Sequence, residues 1–332
     1  MKKLLLLIML SGVLGAQPQI TNLQSGSSAS LRGISAVSEV TCWVSGSEGT
    51  VLKTIDGGIS FYDVSPKGFD TLQFRDIHAF NKDTAVILSA GLPAVILKTT
   101  NGGTSWKPVY TNTSKGIFFD AMDFWDENTG IAFSDARGTK LFIIKTIDGG
   151  ETWTKIPDEK IPDVEKGQGG FAASGTCLKT FGKNSVIIGL GGASAATLLS
   201  TNRGATWLKG TTPLDYGSPS KGNFSFDFKN DLEGYCAGGD YTGDSATTNS
   251  IAKTNDGGLR WQLERDPAVA AKYRSCISYL DDNILIATSR TGISYSLDGG
   301  ETWSELVASY YSSSCSNKVV WLSGPKGSIA KL

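Results

Sequence analysis

Apolar residues fall in short bursts along this chain. Seven of them, centred on Val44, Ile87, Ala132, Ile187, Ala237, Ile286 and Leu322, head hairpin-like units closed by turn residues. Trp43–Lys53 and Trp321–Lys331 are two copies of one such unit, 278 residues apart. Bursts this short, bounded by Gly and Ser, predict paired strands and not helices.

Six of the seven units run on into a common nonapeptide: Lys53–Phe61, Lys98–Trp106, Lys145–Trp153, Leu199–Trp207, Lys253–Trp261 and Tyr295–Trp303. Asp56, Asn101, Asp148, Asn202, Asp256 and Asp298 stand before its glycine pair, which is Arg203-Gly204 in the fourth copy. These positions are 45, 47, 54, 54 and 42 residues apart, a period that signals an array or a propeller. Asp or Asn before Gly-Gly caps a turn with its side chain, and the glycines supply positive φ. Phe61, Trp106, Trp153, Trp207, Trp261 and Trp303 open the next strand and are expected to pack between sheets. Residues 17–332 divide into seven units of about 45 residues, the size of a four-stranded blade. The expected fold is all-β: a seven-bladed propeller of four-stranded antiparallel blades. The last unit lacks its outer strand, and Gln17–Ile20 matches Trp153–Ile156, so the N-terminal strand is expected to close blade seven and protect its edge.

Ahead of that strand, Met1-Lys2-Lys3, the apolar run Leu4–Leu10 and small residues ending at Ala16 form the three-part pattern of a secretory signal peptide. The domain reading is therefore 1–16 signal peptide and 17–332 one propeller, exported to a periplasm or the medium. No later stretch is apolar and long enough to span a membrane. Cys42, Cys177, Cys236, Cys276 and Cys315 are odd in number and lie in apolar or small-residue stretches; buried thiols or at most two disulfides fit them.

The charge is balanced, 31 basic against 32 acidic residues, which excludes nucleic acid as a bulk electrostatic partner. His78 is the one histidine, so multi-histidine metal sites are excluded. No phosphate-binding loop, dinucleotide fingerprint or nucleophile elbow occurs; no cofactor and no metal is expected.

With strands A to D alternating, every nonapeptide is a C–D turn and all six share one face. The long segments 154–170, 208–222 and 238–250 are D–A or B–C connections on the other face, and long loops on a rigid scaffold carry function. The starts of the A strands lie on that loop face too. Arg32, Arg75 and Arg274 stand there in blades one, two and six, with Asp120 in the equivalent region of blade three. An arginine arc grips carboxylate, phosphate or an acidic peptide; alternatively each arginine pairs with a neighbouring Asp and seals adjacent blades. Asp135, Ser174, Asp240 and Tyr241 form a second candidate polar group, or cap turns. His78 reads as a core or channel-lining residue, and Asp281-Asp282 as a turn on the opposite face.

The nonapeptides match the Asp-box, or BNR, repeat. Phe119–Asp126, Gly130–Asp135, Phe171–Thr176 and Gly238–Tyr241 resemble the photosystem II stability/assembly factor-like family, and within it a bacterial, non-photosynthetic branch often labelled oxidoreductase. No redox motif accompanies that label. The resemblance covers nearly the whole mature chain and implies a non-enzymatic binding or assembly propeller. Such a protein is expected to be a monomer holding a protein or peptide, with an anionic group, on its B–C/D–A loops, with no nucleic acid and no membrane insertion. The alternative is a glycosidase using carboxylates and Tyr241 on the same face, as in sialidases. Their Phe/Tyr-Arg-Ile-Pro signature is missing: Phe74–Ile77 shares only its arginine.

Overall fold

The computed structural model describes residues 18–243 and 247–332; the expected signal segment and the tip of the 238–250 loop lie outside them. Seven antiparallel sheets follow one another in chain order. Their innermost strands, A, are Leu31–Ala36, Gln73–Ala79, Phe119–Phe124, Leu178–Phe181, Ser218–Phe228, Cys276–Tyr279 and Ser312–Ser316. Each A strand packs on the A strand of the next blade, and the seventh packs on the first, which makes the ring. B, C and D strands pair outward in order, and blade five carries an extra two-residue edge, Gly191–Gly192, against its A strand.

The apolar bursts are the B and C strands. Ala85–Ala90 and Ala196–Ser200 are buried along their whole length, because a blade is covered on both faces. Each pair of adjacent blades encloses one apolar cluster; Trp153, for instance, packs with Val86, Phe124 and Ile144 between blades two and three. Cys42, Cys177, Cys236 and Cys276 are buried free thiols and Cys315 is half-buried.

The outer strand of the seventh sheet is Thr21–Leu23, antiparallel to Ile329–Lys331. It lies three residues later than the sequence match suggested. Thr21 pairs with Lys331 as Thr154 pairs with Lys145, so Ile20 takes the place of Trp153 and packs into the cluster between blades six and seven.

The nonapeptide turns have one geometry. In the first, Gly57 and Gly58 have φ of 79° and 86°, the Gly58 N–H donates to Thr54 Oγ1 at 2.9 Å, and Asp56 accepts from the Ser60 N–H and hydroxyl. Asn101 keeps the turn without a charge: its Oδ1 accepts from the Ser105 N–H and its amide donates to the Ser105 hydroxyl. The leading lysines stitch one blade to the next: Lys53 donates to Gly102 O, Lys145 to Arg203 O, and Lys331 to Glu39 O across the seventh-to-first junction.

Two outcomes follow. Trp153→Ala removes a buried indole between two blades and is expected to cost about 3–5 kcal/mol in denaturant unfolding. The hydrogen bonds from Ser60 hold the Asp56 carboxyl down at about 2. A carboxyl depressed below its unfolded value contributes stability above the unfolded pKa and loses it as pH falls through the folded one. Asp56→Asn should therefore melt below the wild type at neutral pH, and the gap should close between about pH 4 and about pH 2. A gap that widens on acidification contradicts this.

Candidate functional site at the loop-face mouth

The strand registers define two rings of side chains around the axis. Counting back from the first residue of each of the six nonapeptides, and from Lys331 in blade seven, through its B-strand partner to the A strand gives Ser35, His78, Asp123, Lys179, Asp227, Ser278 and Ser314. All seven line a channel cavity of about 200 Å³. Their task is to join blades. Ser35 accepts from Ala79 N–H, Asp123 from Thr180 N–H, Asp227 from Tyr279 N–H and Ser314 from Ala36 N–H. Lys179 lies 3.4 Å from Asp227 and 3.9 Å from Asp123, and His78 Nδ1 lies 3.4 Å from Asp123.

Three residues upstream on each chain segment lies the second ring: Arg32, Arg75, Asp120, Thr176, Phe224, Ser275 and Tyr311. All but Thr176 line a pocket of about 370 Å³ at the loop-face mouth. In blades one, two, three and five the ring residue falls at a break in the A–B register. Such a bulge leaves one residue unpaired and re-aims its side chain. Asp135 lies at a similar break in the B–C register of blade three.

Residues 169–176 cross the mouth and separate the pocket from the channel. Arg32 Nη1 donates to Ala173 O at 3.2 Å and Arg75 Nη1 to Ala172 O at 3.1 Å. The Gly170 N–H donates to Asp135 at 2.9 Å, Ser174 Oγ to Ser275 O at 2.8 Å, and Thr176 Oγ1 to Ser225 Oγ at 2.7 Å. Blades one, two, three, five and six thus all hold this strap. Two of its glycines are required by space. A Cβ on Gly170 would stand 2.7 Å from the Asp120 carboxyl carbon, and one on Gly175, at φ +76°, would overlap the Asp76 carboxylate.

The pocket has a charged side and an aromatic side. The Arg32 guanidinium lies 4.2 Å over the Tyr311 ring, and Arg290 donates to Tyr241 O at 2.7 Å. Phe171 stacks on Phe224 at 3.8 Å, with Tyr241 and Tyr273 edge-on to Phe224. Asp120 is buried, and among the described residues neither of its oxygens has a hydrogen-bond partner. Burial, with Asp135 alongside, pushes its carboxyl well above the usual carboxylate range; burial raises Asp135 as well. Burial and the neighbouring Arg32 lower the Arg75 guanidinium, while Asp120 acts the other way.

Of the candidates read from the sequence, Arg32, Arg75, Asp120, Asp135 and Tyr241 converge on this pocket. Arg274 does not join them. In blade six the register assigns the ring position to Ser275, and a one-residue offset turns a side chain to the opposite face. Arg274 is 1% exposed and donates to Tyr273 O and Ser294 Oγ, with Glu305 3.6 Å away. Ser174 is inside the strap, and Asp240 caps a turn by accepting from Thr242 N–H and Oγ1. Phe171, Phe224, Tyr273 and Tyr311 escaped the sequence reading. Aligning the units on their C–D turns, and not on their arginines, would have found Phe224, Ser275 and Tyr311. All six Asp-box residues cap the C–D turns of the opposite face, as in Thr146 Oγ1 to Asp148, Ser200 Oγ to Asn202, Thr254 Oγ1 to Asp256 and Ser296 Oγ to Asp298.

The BNR/Asp-box repeat family matches residues 294–305. No curated protein sequence matches the chain. Among solved structures, YCF48 bound to a D1 peptide is similar with a TM-score of 0.71 and 15% identity, covering 96% of each chain. YCF48 from Cyanidioschyzon merolae gives a TM-score of 0.68 at 14% identity, covering 94% of this chain and 98% of that one. The GH74 xyloglucanase from Xanthomonas campestris gives 0.67 at 11% identity over 94% of this chain and 53% of its own. At such identities the likeness is one of fold: a BNR-repeat propeller of the architecture that YCF48 has.

Proposed function

We propose that this protein is an exported, monomeric binding propeller whose loop-face pocket holds a segment of a polypeptide partner bearing an anionic group. The observation that carries the reading is the pocket itself, with Arg32 and Arg75 on one side and an aromatic wall of Phe171, Phe224 and Tyr241 on the other. Guanidinium groups fit carboxylate or phosphate geometry, and aromatic walls receive apolar side chains. That a propeller of this architecture, YCF48, is seen with a bound peptide supports a peptide as the ligand class.

The competing reading is glycoside hydrolysis, since a xyloglucanase shares the fold and the pocket has two carboxyl groups. Catalytic carboxyls in glycosidases stand roughly 5–9.5 Å apart, with the sugar or water between them. Asp120 is buried and both carboxyls pack against Gly170, whose N–H donates to Asp135 and whose Cβ would stand 2.7 Å from the Asp120 carboxyl carbon, which disfavours that use.

A photoreactive residue at Tyr241, in the native host, tests the proposal. One defined polypeptide should be captured, and capture should fail when Arg32 and Arg75 are both Gln. Aryl-glycoside turnover lost in Asp120→Asn, with no polypeptide captured, would overturn it.

A further inference from the structure

Among the described residues, three buried polar atoms at the pocket wall have no hydrogen-bond partner: both Asp120 oxygens and Arg75 Nε. Two such groups side by side would ordinarily pair, and an ionised carboxylate left buried without a donor is costly. The acceptor-only description of Asp120 is the part that fails. Given a proton, Asp120 becomes a donor, and the Asp135 carboxylate is its neighbour. Asp135 in turn accepts from the Gly170 N–H, and the missing Cβ of Gly170 leaves room for the Asp120 carboxyl beside it.

We infer that Asp120 is a neutral carboxylic acid sharing one proton with Asp135, and that this proton keeps the Arg75 charge for an anionic ligand. The second half rests on the binding function proposed above; the first half does not. The raised titration of both carboxyls agrees with it, burial being the larger cause for each. The charged groups around the pair are Arg75 on the adjacent A strand, Arg32 one blade further round and Arg290 at the rim. The titratable ones among the described residues are the Cys177 thiol, the phenols of Tyr241, Tyr273 and Tyr311, and Asp76 on the A strand of blade two, whose carboxyl burial raises as well. Burial pushes Cys177 and Tyr273 upward, away from the carboxyl range. When the shared proton leaves to solvent, two carboxylates remain. They repel an incoming anion and compete for Arg75. By linkage, an anion that binds retains the proton, so affinity for anions must fall as pH rises through the loss of that proton.

Infrared difference spectroscopy of the ligand-free protein tests the proton directly. Asp76 is a second buried carboxyl that burial raises, so its contribution is removed first. In an Asp76→Asn background a carboxylic-acid carbonyl band should be present near pH 7, vanish at higher pH, and be absent when Asp120→Asn is added. Its absence from that background overturns the inference whatever the partner is. If Asp120→Asn fails to fold, the shift of the band in Asp135→Asn decides the matter, because Asp76 does not touch Asp135; a band unmoved by Asp135→Asn overturns the inference. Benzoate titrated by NMR tests the second half. Its affinity should weaken about tenfold per pH unit above the loss of the proton, the slope of one linked proton. In Asp120→Asn the profile should be flat. A flat wild-type profile, or no benzoate binding at any pH, overturns the anion half while leaving partner capture at Tyr241 to be judged separately.

Discussion

Replacing Arg32 and Arg75 together with glutamine is expected to abolish partner binding in a protein that still folds. Both side chains are only half-buried, and each gives one bond to the strap. Charge-assisted contacts are worth about 1.5–3 kcal/mol each, so losing two weakens binding by about a hundredfold or more. The wild-type interaction should weaken with salt, as a charge-gripping site does. Arg274→Gln is the contrasting variant. Its guanidinium is 1% exposed and bonded to Ser294, Tyr273 O and Ser289. Removing it strands those acceptors and should lower the melting temperature without touching affinity. The double variant unfolding while Arg274→Gln stays stable and loses the partner would reverse the assignment.

Removing residues 17–23 should have the other large effect. It takes away the strand paired with Ile329–Lys331, the packing of Ile20 and Leu23, and the Tyr310 hydroxyl bond to Asn22. Calorimetry should show a fall in melting temperature on the order of 10 °C. Light scattering should show association, because Ile329–Lys331 becomes an unpaired edge. An unchanged melt would mean that the blade is complete without this strand.

The sequence revealed the blades because each repeats the same physical problem. A turn with two positive-φ glycines needs Asp or Asn to cap it, and a blade covered on both faces needs unbroken apolar B and C strands. Those constraints recur six or seven times and so stand out. The pocket was legible only in part. Arg32, Arg75 and Asp120 could be placed because they lie at the starts of recognisable A strands. Arg274 could not, because sequence proximity to a strand does not disclose the parity of its register, and one residue reverses the side chain. The strap was invisible for a different reason. Gly169–Thr176 has no apolar alternation, and what holds it is a set of bonds to five blades, which only the closed ring brings together. The acid pair was hidden as well, since Asp135 is re-aimed by an irregularity in its own strand.

The proposed function requires that ligand be held at the loop-face pocket and not on the Asp-box face. Nitrogen-15 NMR of the protein, titrated with the captured partner segment, tests it most directly. Arg32, Arg75 and Arg290 line the pocket, and no tryptophan does. Trp106, Trp153, Trp207, Trp261 and Trp303 each follow an Asp-box turn. The arginine Nε–H signals should shift at saturating ligand, with the tryptophan indole N–H signals unmoved. Moving indoles beside unmoved arginines would contradict it.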